Sequence, residues 1–518
     1  MSLLRSVATI GGWTMMSRVL GFIRDVLIAN VVGAGMVADA FFIAFKFPNL
    51  FRRLFGEGAM NAAFVPLYAG RLETDGKQAA RAFGGEVAAV LTFGMLLLTV
   101  VSLAGMPWLM RVVAPGFVAD TEKFALTVAL AQITFPYLLF MVLCAQFSGM
   151  LNSTGRFAAA AAAPVLLNIV MITVLVLVSS GILQMPGHAM ASGVAIAGAV
   201  QFLFLAYACH KAGIMVRLPR PRMTAGVKRL LMLMGPGVLG AGVVQINVMM
   251  GDILASLLPE GSVSYLYYAD RVNQLPLGVV GVAVGVALLP LLTRQLRAGQ
   301  GEQALHSMNR ALEISLVLTL PAAIALIAMP WPIINVLFQR GAFTAETTLA
   351  TSGALQAFAI GLPAYVLIKA LSPGFFARED TKTPVKVASV NVVLNIALAF
   401  GLMQVLAHVG IALATAITAW VNVFVLAVIL YRRGHFRLDA RMKRVLPRLI
   451  VSAVIMGAVL AYAAMELQPV MTGMLFPLRA AILGGLVGGG AIVYFGLAHV
   501  TGAAKLGELK GRLRRQRG

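Results

Sequence analysis

A chain of 518 residues that is 60% hydrophobic and only 12% charged, with a mean hydropathy of +0.90, is excluded from the ordinary soluble classes. Its formal charge of +22 would suggest a nucleic-acid partner, but the placement of the basic residues, given below, argues for membrane topology instead. Cys144 and Cys209 both lie in apolar runs, the six histidines form no cluster, and neither a Walker nor a dinucleotide glycine motif stands out. Disulfide, metal-thiolate and ATP-driven classes are therefore disfavoured, and no cofactor is expected. The N-terminal MSLLRSVATIGGWTM has no small-residue cleavage site and runs directly into an apolar segment, so it does not read as a cleavable signal.

A hydrocarbon core of about 30 Å requires about 20 apolar residues per helix. On that rule membrane-spanning helices are expected near 7–31, 36–56, 84–106, 124–147, 158–181, 189–209, 229–257, 263–291, 311–330, 349–371, 384–405, 409–430, 446–465 and 478–500. The fold class is thus an all-α polytopic membrane protein with about 14 transmembrane helices. Pro136, Pro164, the Gly235-Pro236-Gly237 run, Pro276 and Pro363 fall inside spans, where neighbouring helices or water satisfy the freed backbone groups. With the N-terminus inside, the cytoplasmic segments after the second span hold 29 Lys and Arg and the outer ones only four: Arg111, Lys123, Arg340 and Arg479. The positive-inside rule then places both termini in the cytoplasm. A basic tail at 505–518 is left open to contact with anionic lipid or RNA.

An internal repeat emerges from motif spacing. FPYLLF at 135–140 aligns with LPAYVL at 362–367; Pro136 and Pro363 are 227 apart, as are Asn168 and Asn395. Asn49 and Asn273, and Pro66 and Pro290, are 224 apart. An offset equal to six spans makes a parallel duplication, related by an axis along the membrane normal, with a substrate cavity expected where two such lobes meet. The expected organisation is an N-terminal lobe over 1–220, a C-terminal lobe over 221–435, two additional helices over 436–504 and the tail.

Charge concentrates in 17–57, SRVLGFIRDVLIANVVGAGMVADAFFIAFKFPNLFRRLFGE. Arg18, Arg24, Lys46, Arg52 and Arg53 outnumber Asp25, Asp39 and Glu57 by two. A charged side chain at mid-bilayer costs roughly 2.5–3.5 kcal/mol on insertion scales, so such groups face a bundle interior or a watery cavity. Spacings of seven place Arg18 with Asp25, Asp39 with Lys46, and Lys46 with Arg53 on one face, and an ion pair between Arg18 and Asp25 is one expectation. Excess arginine suits an anionic ligand, because its planar fork matches phosphate and carboxylate. In the second copy these charges are mostly replaced, leaving Asp270 and Arg271, which marks an asymmetric site rather than scaffold. Asn247 and Asp252, and Asn391 and Asn395 one turn apart, put oxygen donors within spans; helix–helix hydrogen bonding and a Na⁺ site are both open readings.

SRVLGFIRD, ADAFFIAFKFPNLFRRLFGEGA and YLYYADRVNQLPLGV resemble the MurJ family of lipid II flippases, and the likeness runs over essentially the whole chain. The resemblance implies a bacterial inner-membrane transporter that moves an undecaprenyl-diphosphate-linked disaccharide pentapeptide to the outer leaflet. It implies that Arg18, Arg24, Arg52 and Arg271 line a cationic central cavity for the diphosphate. Asp25, Asp39, Lys46, Arg53 and Glu57 would pair or gate within it. It also implies a candidate sodium site at Asp252, Asn391, Asn395 and Thr415, although Asn395 stands where some members carry Asp. The last two helices, with Gly484, Gly485, Gly488, Gly489 and Gly490, would hold the polyprenyl tail. Coupling to Na⁺, H⁺ or membrane potential, contact with membrane lipids and with cell-wall synthesis proteins, and no nucleic-acid partner complete that expectation. The competing readings are a cation-coupled drug or oligosaccharide-lipid exporter of the same architecture, a membrane scaffold working through its basic loops, and an enzyme acting on polyprenyl phosphates. No paired catalytic carboxylates support the last, so the chain is read as no enzyme.

Overall fold

The computed structural model describes residues 3–54 and 60–503. Helices account for nearly all of it, and no strand occurs among the described residues. This is the outcome that an apolar solvent enforces, since only a helix satisfies every backbone N–H and C=O within one segment. Nine helices among the described residues are long and apolar enough to cross a membrane by length and composition.

The first copy of the repeat runs α1 (Leu3–Val32), α2 (Met36–Phe51), α3 (Asn61–Thr74), α4 (Gly76–Ala104), α5 (Met106–Val113), α6 (Thr121–Thr134), α7 (Tyr137–Ser153), α8 (Phe157–Ser179) and α9 (Pro186–Lys211). The second runs α10 (Ala225–Ser256), α11 (Ser262–Arg297), α12 (Gly301–Ala328), α13 (Pro330–Phe338), α14 (Ala345–Phe376) and α15 (Lys382–Arg432). Helices that start at 76, 106, 121 and 157 reappear at 301, 330, 345 and 382, an offset of 224 or 225. The duplication is therefore written in element boundaries as well as in motifs. Two further helices, α16 (Ala440–Met471) and α17 (Phe476–Val500), pack on each other, and both touch α12.

The copies differ where the backbone is interrupted. In the first, α2 ends at Phe51 and residues 52–54 enter a π-helical turn, whereas α11 continues unbroken through the matching positions. The first copy also breaks at Phe135–Pro136, between α6 and α7, while α14 stays continuous through Pro363. In α15 the break falls at Ala407, with φ of 47°, so its two halves match α8 and α9.

By contacts the chain forms two compact units, Met1–Ser264 with Arg340–Phe343, and Tyr265–Gln339 with Thr344–Gly518. α10 thus groups with α3, α4 and α5 in the first unit, although the duplication assigns it to the second copy. Within the first unit one backbone clasp is made twice. Gly116 donates its amide to Ser256 Oγ at 3.3 Å, and a Cβ there would stand 2.0 Å from the Ser256 carbonyl oxygen. Shifted by 225, from Gly116 to Gly341, a similar clasp joins residues 340–343 to the end of α1. Ala342 N donates to Asn30 O at 2.9 Å, and a Cβ on Gly341, whose φ is +55°, would meet Asn30 O at 2.3 Å.

In the second unit Asp380, in the loop after α14, accepts from Thr383 Oγ1 at 2.6 Å and from Arg433 Nη1 at 2.6 Å. These contacts, Thr383 foremost, hold its carboxyl well below the usual carboxylate range. A depressed folded-state value adds stability that is present above the unfolded value, near pH 4, and is lost as pH falls through the folded one. The melting-temperature gap between wild type and Asp380→Asn should therefore stay constant from pH 7 to about 5 and narrow progressively below about pH 4. A second prediction concerns the clasp: Gly116→Ala and Gly341→Ala should each destabilise the fold by about 1–3 kcal/mol, the usual cost of overpacking. Gly94→Ala, with nothing near its Cβ, should not; thermal unfolding in detergent measures all three.

Candidate substrate site

The charges of the opening stretch are organised by long-range pairing rather than by the seven-residue spacing within one helix. Asp39, on α2 and 1% exposed, is the most heavily engaged. Its Oδ2 accepts Lys123 Nζ and the Gly261 amide, both at 2.8 Å. Its Oδ1 accepts the Ser264 amide at 3.0 Å and Ser264 Oγ at 2.6 Å. Asp39 thereby caps the N-terminus of α11, where the helix dipole favours negative charge. Glu260 returns the favour: its Oε1 accepts Met36 N, the first amide of α2, at 2.6 Å. Lys123, counted from sequence as an outer-loop charge, is buried under this network with its ammonium 4.1 Å from the Phe117 ring.

Arg24, on α1, is 7% exposed. Its Nε and Nη2 donate to Asp25 Oδ1 at 3.1 and 2.8 Å, and its Nη1 donates to Asn168 Oδ1 on α8 at 3.1 Å. The expected pair of Arg18 with Asp25 is corrected: the carboxylate lies with Arg24, and Arg18 sits exposed on α1 with no ion pair among the described residues. Adjacent residues on a helix can pair with each other when a long side chain bends around the turn, which the seven-residue rule overlooks. Lys46 donates to Asp252 on α10. Arg53 is exposed in the π-helical turn, and Glu57 lies outside the described residues.

Arg52 has a different setting. Half-buried at the end of α2, it donates from Nε to Asn49 Oδ1 at 2.9 Å. It helps to line a cavity of about 420 Å³ inside the first unit, walled by α1, α2, α7, α8 and α9. Tyr137, Gln201, Ser148 and Asn152 supply polar atoms, while Phe157, Ala160 and Ala161 contribute apolar lining. Cys144 contributes its thiol to the same wall. Arg271, in the second unit, donates to Tyr267 Oη at 3.0 Å with its guanidinium 4.9 Å from that ring's centre.

The model of the family described as "MurJ: Lipid II flippase MurJ" matches residues 28–480. The chain belongs to the MurJ family. A Rhizobium tropici protein named "Probable lipid II flippase MurJ" is 46% identical over 100% of this chain and 98% of its own length. A Burkholderia cenocepacia protein named "Lipid II flippase MurJ" is 34% identical over 97% of this chain and 98% of its own. The solved structure titled "Lipid II flippase MurJ, inward closed conformation" superposes with a TM-score of 0.76 at 27% identity, over 95% of this chain and 98% of that one. An inward-facing multidrug resistance MATE family transporter of the MOP superfamily reaches a TM-score of 0.70, over 82% of this chain and 97% of that one. At 16% identity this last likeness shows the fold alone.

The candidate sodium ligands make the following contacts. Asp252 is neutralised by Lys46, Asn395 Oδ1 accepts Thr418 Oγ1 at 3.3 Å, and Thr415 Oγ1 donates to Ile411 O at 3.0 Å. Asn391 Oδ1 alone has no hydrogen-bond partner. No group of three His, Cys, Asp or Glu suited to a metal occurs among the described residues.

Removing one partner of a buried ion pair costs about 3–5 kcal/mol, because the other charge stays buried. Asp39→Ala should lose that much in thermal or denaturant unfolding. Adding Lys123→Met should recover more than half of it, and a cycle with no coupling energy would refute the pairing.

Proposed function

We propose that this chain translocates lipid II, an undecaprenyl-diphosphate-linked disaccharide pentapeptide, from the cytoplasmic to the outer leaflet of the bacterial inner membrane by alternating access. The single observation that supports this most directly is membership of the MurJ family over residues 28–480. The arginines give the reading its chemistry. A diphosphate crossing hydrocarbon needs compensation for lost hydration, and guanidinium groups supply it through bidentate, charge-assisted hydrogen bonds. Arg52 and Arg271 are the half-buried arginines we assign to that task. Arg24 is assigned to holding Asp25 and Asn168 in place.

The cycle requires binding, a change of access and release, with no bond made or broken, so we read the chain as a transporter and not an enzyme. Both termini are placed in the cytoplasm and fourteen crossings are proposed on the distribution of Lys and Arg. An inside-negative membrane potential would draw an empty cationic site back inward, at about 2.3 kcal/mol per charge per 100 mV. An exporter of cationic drugs would call for an acidic cavity. The charged group lining the cavity of the first unit is Arg52, which disfavours that alternative.

Outer-leaflet lipid II in cells depleted of the protein and complemented with variants tests the reading. Arg52→Ala and Arg271→Ala should reach the membrane at normal levels and fail to restore the signal. Arg24→Ala should fail together with a drop in thermal stability, because the buried Asp25 loses the guanidinium that pairs with it. Full restoration by the first two would remove the arginines from the transport site. No restoration by wild type would return the exporter reading to the front.

A further inference from the structure

The repeat supplies an internal control for the cavity in the first unit. Were the cavity a by-product of the fold, the matching positions of the second copy would line a similar hollow. They do not carry the same groups. Arg52 corresponds to Pro276, Tyr137 to Ala364, Cys144 to Leu371 and Ser148 to Phe375, at offsets of 224 for the first and 227 for the others. Leu371 and Phe375 are buried core residues. At these four positions the first copy carries polar or thiol groups where the second is apolar, three of them on α7, while Asn152 corresponds to the exposed Glu379.

The polar groups also have a definite order. Ser148 and Asn152 lie one turn apart on the same face of α7, half-buried, and neither side chain has a hydrogen-bond partner among the described residues. They are neutral, and they offer a hydroxyl and an amide. Arg52 stands at the same cavity as a cation, with Asn49 fixing its Nε. Ala160 and Ala161 line the same cavity with methyl groups. A cation beside neutral hydrogen-bonding groups, facing small apolar side chains, matches an N-acetylated sugar joined to a phosphate. Arg52 meets the phosphate, Ser148 and Asn152 meet ring hydroxyls or the amide, and the acetyl methyl packs on alanine. An isoprenoid would leave the Ser148 and Asn152 groups unpaired, at the cost that burying an unsatisfied polar group carries. The volume of about 420 Å³ lies within the range of small-ligand pockets and is too small for the whole head group.

We propose that this cavity is a sugar subsite, holding the phosphate-linked N-acetylated sugar of the substrate and making recognition depend on the sugar as well as the diphosphate. The proposal rests on the lipid II reading above. Its test is built so that the two can fail separately. Purified protein in lipid nanodiscs is titrated with lipid II and, in parallel, with undecaprenyl diphosphate that bears no sugar. Wild type should bind lipid II at least tenfold more tightly. Ser148→Phe, which copies Phe375 and fills the hollow, should abolish that preference, leaving lipid II bound no more tightly than undecaprenyl diphosphate. Asn152→Leu, a milder change at the cavity rim, should reduce the preference about threefold or more and decides the matter should Ser148→Phe misfold. Equal affinity of wild type for the two lipids, equal losses for both lipids in the variants, or no change in either variant overturns the subsite. Failure of wild type to bind either lipid overturns the function reading instead.

Discussion

A carboxylate in a solvent that cannot hydrate it must find every partner inside the protein, and Asp39 does so with four hydrogen bonds. That requirement organises one end of the first unit. Lys123 is drawn down from α6, the start of α11 is brought onto α2, and Glu260 closes the exchange on Met36. The two glycine clasps work at neighbouring turns, where backbone meets backbone at distances that no Cβ would allow. Ionic fastening of this kind differs from apolar packing in a useful way. It is stable when fully paired or fully hydrated and unfavourable in between, so such a contact favours discrete arrangements over gradual deformation.

Duplication explains why scaffold and specialised features separate so cleanly in this chain. Asn168 and Asn395 occupy matching places and are both buried, but Asn168 accepts Arg24 whereas Asn395 accepts Thr418. The asparagine is common to the two copies and its partner is not. The same holds for backbone. Proline at 136 coincides with a helix break and proline at 363 does not, because the carbonyl four residues before a proline, which loses its donor, can be satisfied by local adjustment as well as by ending the helix.

The helical class, the repeat and the halves of α15 were legible in the sequence because each rests on composition or spacing along one segment. The pairing of charges was not. Spacing within a helix reports which residues share a face and says nothing about what lies opposite. Lys46 finds Asp252 some 206 residues away, and Asp39 finds Lys123 at 84 and Gly261 at 222. Arg24, Arg52 and Arg271 were legible as a group but not as separate roles, since burial and partners distinguish them and sequence shows neither. The cavity on α7 was missed as well. Its one sequence signal was the mismatch of Ser148 with Phe375 under the repeat offset, a polar residue where the other copy has a core aromatic.

Charge accounting gives the division of labour among the arginines its physical basis. A guanidinium already sharing its carboxylate, as Arg24 does with Asp25, presents little net charge to a ligand, and diverting it would strand the carboxylate at 3% side-chain exposure. A guanidinium that donates to a neutral amide, as Arg52 does to Asn49, has its direction set by a group that does not itself cancel charge. Its half-buried position keeps part of it within reach of a polar cavity without full loss of hydration. An anion that must be bound on one side of a membrane and released on the other calls for the second arrangement. Tight pairing would compete with the ligand, and a fully exposed cation would be screened by water and salt before it could compensate a diphosphate for leaving them.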